Sequence, residues 1–99
     1  METKIQLLHP AGKKAVSMDR GKYDVLKTAI LNHLESRGES SHKEIFQSIS
    51  EDFVKNKIPF QGSVEWHMDW VTLDLEARKE IQRSGKNSPV KFAVTKLRD

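Results

Sequence analysis

Glu65 and Asp69 are four residues apart, so a helix would place both carboxylates on one face, as a pair of catalytic acids requires. Nothing nearby in the sequence supplies a nucleophile, a metal or a pocket to complete such a site. The chain also has no cysteine, which excludes disulfides, thiol nucleophiles and cysteine zinc sites. We therefore expect these two carboxylates to form an exposed acidic flank of a helix.

The four histidines are the other side chains with the chemistry to bind a metal or to transfer a proton. They belong to four different predicted elements and lack the i, i+4 pairing of a metal site; they are His9, His33, His42 and His67. The sequence also contains no phosphate-cradling glycine loop, nucleophile elbow or dinucleotide fingerprint. We therefore expect no metal, no cofactor and no enzymatic activity.

Lysine and arginine are concentrated at the two ends of the chain. Residues 1–27 carry a net charge of +3, residues 28–77 carry −5 and residues 78–99 carry +5. This distribution is typical of proteins that bind nucleic acid. The candidate nucleic-acid contacts are Arg78, Lys79, Arg83, Lys86, Asn87 and Lys91. The alternative is that these side chains only solvate the tip of a hairpin.

The composition indicates one globular domain over residues 1–99. Hydrophobic residues make up 36% of the chain and charged residues 31%, which is richer in apolar side chains than a disordered chain. No apolar run approaches the roughly 18 residues of a membrane span, and the first ten residues lack the pattern of a secretory signal. We therefore expect a cytoplasmic location and no association with a membrane.

The pattern of elements predicts the α+β class. Two apolar segments, residues 4–8 and 14–18, flank Pro10 and Gly12 and predict an N-terminal β-hairpin over residues 1–18. Helix one, over residues 20–37, has Asp19 as its N-cap and Gly38 as its stop. Helix two, over residues 42–55, begins at a capping box formed by Ser41 and Glu44. Residues 39–40, just before it, predict a minimal strand.

The third predicted helix, over residues 63–79, is apolar on two opposite sides. At about 100° per residue, the residues divide into a tryptophan stripe of Trp66, Trp70, Leu73 and Ala77 and an aliphatic stripe of Val64, Met68, Val71 and Leu75. We expect the tryptophan stripe to face the core, because large apolar residues at helical spacing usually do. The aliphatic stripe has two candidate partners, the N-terminal hairpin or a second copy of the chain, and we favour a homodimer.

The last part of the chain, residues 80–96, predicts a second β-hairpin. Gly85 and Pro89 bound a polar, cationic tip. Val90, Phe92 and Val94 then alternate with more polar residues, which is typical of a strand with one buried face.

The order of hairpin, helix, short strand, helix, helix and hairpin resembles a winged-helix domain, a three-helix bundle whose C-terminal hairpin is called the wing. The resemblance covers nearly the whole chain. The run from Trp70 to Ala77, followed by Ile81, is similar to a small family of uncharacterised bacterial winged-helix proteins. More distantly, it is similar to the N-terminal domain of Mrr-type restriction endonucleases. The resemblance implies a DNA-binding fold in which helix three leads into the wing.

Two functions remain open at this point. The first is a non-catalytic transcriptional regulator that binds double-stranded DNA through the wing cations and the basic N-terminal region. Base recognition by helix three itself is disfavoured, because the helix carries four acids and DNA affinity depends mainly on cations at phosphates; the acids are Glu65, Asp69, Asp74 and Glu76. The alternative is a protein-interaction or dimerisation module that does not bind DNA.

Overall fold

Three helices and five short strands follow one another in the part of the chain that the computed structural model describes, residues 3–84 and 90–95. The elements are β1 (Lys4–Gln6), β2 (Ser17–Asp19), α1 (Arg20–Arg37), β3 (Ser40–Ser41), α2 (His42–Lys55), α3 (Val64–Ala77), β4 (Ile81–Ser84) and β5 (Lys91–Val94). β1 and β2 form one antiparallel sheet, and a second antiparallel sheet has the strand order β3, β5, β4. The predicted α+β class is confirmed.

The strands of the N-terminal hairpin are shorter than predicted. Ile5 pairs with Met18, and the Leu7 amide donates a hydrogen bond to the Val16 carbonyl at 3.0 Å. The next amide, that of Leu8, donates instead to the carboxylate of Asp74 in α3, at 2.8 Å. The chain therefore leaves the two-stranded ladder to contact α3, which is why strand pairing stops before residue 8.

α1 has the bounds that its capping residues predicted. The Asp19 carboxylate accepts a hydrogen bond from the Lys22 amide at 3.0 Å and so satisfies one free donor of the first turn. At the other end Gly38 has a φ of 80°, and its amide donates to the Leu34 carbonyl at 2.8 Å. The buried side of α1 consists of Tyr23, Leu26, Ile30 and Leu34.

α2 begins at the predicted capping box. The Glu44 amide donates to Ser41 Oγ at 3.2 Å, and the Ser41 amide donates to Glu44 Oε1 at 2.8 Å. The hydrogen bond from the Ser41 amide holds the pKa of the Glu44 carboxyl below its ordinary value. The helix then buries Ile45, Ile49 and Phe53.

We expect Ser41→Ala to lower the free energy of unfolding by about 1 kcal/mol, because the Glu44 amide loses its side-chain acceptor. Urea denaturation followed by circular dichroism measures this change. Ser36→Ala is the matched control, since Ser36 is exposed within α1 and caps no helix start. Equal losses from the two substitutions would show that the capping box contributes nothing specific.

α3 ends two residues earlier than predicted. Lys79 adopts the left-handed conformation with a φ of 65°, and the Glu80 amide donates to the Leu75 carbonyl at 2.9 Å. This geometry closes the helix in the way that glycine commonly does. The chain can then turn directly into β4.

β4 and β5 form the antiparallel hairpin that was predicted, with Ile81 opposite Val94. Phe92 also pairs with Ser40 of β3, so the hairpin is joined to the short strand before α2. Val90, predicted to lie on the buried face of the strand, precedes β5 and is exposed. The predicted hairpin tip, residues 85–89, lies outside the described residues.

The helices and both sheets contribute to one hydrophobic core. Its buried members are Leu7, Met18, Tyr23, Leu26, Ile30, Leu34, Ile45, Ile49, Phe53, Met68, Val71, Leu75, Ile81 and Phe92. The predicted dimer interface on the aliphatic stripe is therefore wrong. Met68, Val71 and Leu75 are each 0% exposed, and Val64 is half-buried against the same core, so a second copy cannot reach this stripe.

Candidate functional site

The outward side of α3 carries the tryptophan stripe, which was predicted to be core. Trp66 is 47% exposed, whereas Trp70 is half-buried and packs against the edge of the core, so the prediction holds in part for Trp70. Their rings are in contact, with centroids 6.4 Å apart and planes tilted by 62°. Leu73 and Ala77, both half-buried, extend this apolar surface toward the end of the helix. Adjoining apolar side chains at a protein surface commonly mark an interaction site.

A buried carboxylate helps to hold α3 in this orientation. Asp74 is 0% exposed and accepts hydrogen bonds from the Tyr23 hydroxyl at 2.5 Å, the Leu8 amide at 2.8 Å and Arg78 Nε at 2.9 Å. A carboxylate in a protein interior is stable only with such partners. α3 therefore has to direct Asp74 toward α1 and the N-terminal hairpin. In this orientation the aliphatic stripe lies in the core and Trp66 lies on the outside.

The two side chains that bind Asp74 have shifted pKa values. Burial, reinforced by the hydrogen bond to Asp74, raises the pKa of the Tyr23 hydroxyl. The hydrogen bond to Asp74 also raises the pKa of Arg78. The sequence shows Asp74 only as one of the four acids of helix three and does not reveal this cluster, because Tyr23 and Leu8 are 51 and 66 residues away along the chain. At about 100° per residue Asp74 falls between the two stripes, so helical periodicity alone carries no signal for its burial.

Two carboxylates border the tryptophan stripe on one side, and we call Glu65 and Asp69 the acidic edge. Both are exposed, as predicted, and the Asp69 side chain is 51% exposed. Asp69 contacts Nε2 of His42 at the start of α2. No hydrogen bond or ion pair involves the Glu65 carboxylate within the described residues. The acidic edge therefore retains negative charge beside an apolar surface.

Two of the predicted nucleic-acid contacts are engaged within the protein. Arg78 binds Asp74 through Nε, and its Nη2 donates to the Gln6 carbonyl at 3.3 Å. Arg83 pairs with Glu76 at 2.7 Å and lies over the Phe92 ring, 5.5 Å from its centroid. A phosphate would have to compete with these internal contacts for either guanidinium group.

The other predicted nucleic-acid contacts are not brought together by the described structure. Lys79 is exposed in the left-handed turn after α3. Lys91 is half-buried at the start of β5, opposite Ser41. Lys86 and Asn87 lie outside the described residues.

A histidine and a serine lie in contact near the end of α1, an arrangement that the spacing in the sequence did not indicate. His33 Nε2 and Ser40 Oγ are 2.9 Å apart, and burial, together with the charge of Arg37, lowers the pKa of His33. Ser40 is 4% exposed, and its hydroxyl donates to the Gly38 carbonyl at 3.0 Å. Because the hydroxyl hydrogen of Ser40 is already donated to Gly38, a neutral His33 must donate the hydrogen bond from its Nε2 to Ser40 Oγ. The pair therefore joins α1 to β3 and does not activate an accessible nucleophile.

Within residues 3–84 and 90–95, no three side chains of the metal-binding types His, Cys, Asp and Glu are grouped to hold a metal ion. None of the described helices has both the length and the apolar character needed to cross a membrane.

The described residues thus define a small α+β domain that presents an aromatic surface on its third helix. The chain belongs to a family of unknown function, DUF6958, whose family profile matches residues 4–92. No curated protein and no solved structure matches the chain.

Proposed function

We propose that the protein is a non-catalytic winged-helix module that binds a protein partner through the tryptophan stripe of α3. The observation that carries the proposal is the exposure of Trp66, in contact with Trp70, on a helix whose opposite side is packed into the core. Tryptophan supplies a large apolar contact area with few rotatable bonds and is enriched among the residues that dominate binding energies.

The connectivity of the second sheet supports the winged-helix part of the proposal. The hairpin after α3 pairs through β5 with β3, the short strand between α1 and α2. This is the arrangement of three helices and a wing that the order of elements in the sequence resembles. α3 then takes the place of the helix that leads into the wing.

The charges around α3 favour a protein over DNA as the partner of this helix. The acidic edge lies beside the tryptophan stripe and would repel phosphates. Arg78 and Arg83, two of the cations predicted to contact nucleic acid, are engaged with Asp74 and Glu76. An aromatic stripe next to carboxylates suits a protein surface with apolar and basic groups.

We expect a photoreactive amino acid in place of Leu73 to form a cross-link to a discrete partner protein in the cells that naturally produce this chain. The same substitution at Val54, which is 80% exposed on α2, is the matched control and should form no such adduct. Adding Trp66→Ala should weaken the interaction by roughly tenfold or more, as for a residue at the centre of an interface. Identical adducts from both positions, or adducts unaffected by Trp66→Ala, would contradict the proposal.

Binding of double-stranded DNA by the hairpin is a second candidate function. It is favoured by the net charge of +5 on residues 78–99 and by the exposure of Lys79 beside the hairpin. In this case α3 would only support the wing.

Anisotropy titration of random duplex DNA at two salt concentrations separates the two candidates. We expect no salt-sensitive binding, and no difference between the wild type and Lys79→Glu. Affinity that falls steeply with salt, with a slope of about −0.9 per phosphate contact, and that Lys79→Glu reduces would instead establish DNA binding. Lys57→Glu is the control, because Lys57 is an exposed lysine remote in sequence from the hairpin.

A further inference from the structure

Resting on the proposed function, we infer that the segment that docks on the tryptophan stripe is a basic amphipathic helix, with an apolar stripe of its own and lysine or arginine on its flank. The stripe and the acidic edge together specify this partner. The tryptophan stripe requires apolar contact along a helix, and the acidic edge selects the sign of the charges beside that contact.

The shape of the surface favours a helix over an extended peptide. The stripe runs from Trp66 to Ala77, which at 1.5 Å per residue is roughly 16 Å, or three helical turns. The backbone of α3 is already hydrogen-bonded within the helix, so it has no free groups to pair with a strand. An extended peptide on this surface would leave its own amides and carbonyls without partners, whereas a helix satisfies them internally. Helix-on-helix packing is therefore the favoured mode.

The charges beside the stripe favour a basic partner. Glu65 has no internal partner among the described residues, and the Asp69 side chain remains 51% exposed although it contacts His42. The nearby arginines Arg78 and Arg83 are already paired with carboxylates. Lysine or arginine on the flank of the docked helix would gain attraction here, and glutamate would be repelled.

The same charges disfavour a second copy of the chain as the occupant. Two copies of α3 packed antiparallel about a two-fold axis perpendicular to the helices would place both acidic edges on the same side of the interface, with the two Asp69 carboxylates nearest each other. Like charges on the same side of an interface oppose association. A partner of different sequence and opposite charge avoids this repulsion.

Three designed helical peptides of about 18 residues, or five turns, test the inference. They share one leucine stripe and differ only in their flanking residues, which are lysine, glutamine or glutamate. Binding is measured by the anisotropy of a dye on the peptide and by the fluorescence of Trp66 and Trp70, the two tryptophans of the chain. We expect the lysine peptide to bind about tenfold more tightly than the glutamate peptide at low salt, since each exposed pair contributes about 0.2–1 kcal/mol. The glutamine peptide should be intermediate, and added salt should reduce the differences.

Variants of the protein locate the binding surface. The double substitution of Glu65→Lys and Asp69→Lys should reverse the order of the lysine and glutamate peptides. Trp66→Ala should weaken the binding of all three, and Val54→Asp, on an exposed part of α2, should change none. Circular dichroism verifies that each variant is folded. Leu73→Gln is a second stripe variant and should weaken binding in the same way.

Each remaining outcome has a definite meaning. If the three peptides bind equally and Trp66→Ala still weakens their binding, the partner is not basic, but docking on the tryptophan stripe stands. Binding that is insensitive to both Trp66→Ala and Leu73→Gln overturns the proposed function as well. If none of the three peptides binds, the inference that the partner is a helix is wrong. If light scattering detects a dimer that Trp66→Ala abolishes, the tryptophan stripe binds a second copy of the chain, and the inference is wrong.

Discussion

Met68→Asp is expected to destabilise the protein severely, whereas Leu73→Asp on the same helix is expected to destabilise it only slightly. Met68 is 0% exposed in the core, so aspartate there would bury a polar group without a partner. We expect a loss of at least about 4 kcal/mol, against a total stability of about 5–15 kcal/mol for a typical domain. Leu73 lies on the outward tryptophan stripe, and its substitution should cost about 1 kcal/mol.

Circular dichroism and urea denaturation of the two variants measure this difference. Both substitutions introduce the same residue into α3 at positions five residues apart, so the intrinsic helix propensity of aspartate is the same in each. The burial of the original side chain is the main remaining difference. If Leu73→Asp unfolds the protein while Met68→Asp keeps a cooperative transition, the orientation of α3 is the reverse of the one described.

Asp74→Ala is expected to lower the free energy of unfolding by about 3–5 kcal/mol. The sequence alone does not distinguish Asp74 from the other three acids of helix three. The substitution leaves the buried Tyr23 hydroxyl and the Leu8 amide without their acceptor, and it releases Arg78 from its ion pair. The N-terminal hairpin should loosen at the same time, because its connection to α3 runs through the Leu8 amide. Hydrogen exchange at Leu8 should therefore become faster.

Asp69→Ala is the matched control, since Asp69 is an exposed acid of the same helix with one contact to His42. We expect it to change stability by less than about 1 kcal/mol. A double-mutant cycle with Tyr23→Phe isolates the buried hydrogen bond, because the two sites are in direct contact and their effects should not add. Equal effects of Asp74→Ala and Asp69→Ala would show that the buried cluster does not hold α3 in place.

Much of the local structure could be predicted because its causes are close together in the chain. Asp19 and Gly38 bound α1, and Ser41 with Glu44 starts α2, through hydrogen bonds that span at most four residues. The two hairpins follow from short apolar runs on either side of turn residues. The errors occur where a distant contact intervenes, as in the N-terminal hairpin, where the Leu8 amide binds Asp74 instead of continuing the strand.

The candidate site shows the limit of such prediction. Periodicity alone established that α3 has two apolar stripes and an acidic edge, because these depend only on residue type and on about 100° of rotation per residue. Which stripe faces the core was decided by the tertiary structure. Both stripes are apolar enough to be buried, and the contacts that hold α3 come from distant parts of the chain, among them the hydrogen bonds of Asp74 to Tyr23 and Leu8. The sequence by itself therefore determined the helix and its surfaces, and long-range packing and hydrogen bonding decided that the aliphatic stripe is buried and that Trp66 is exposed.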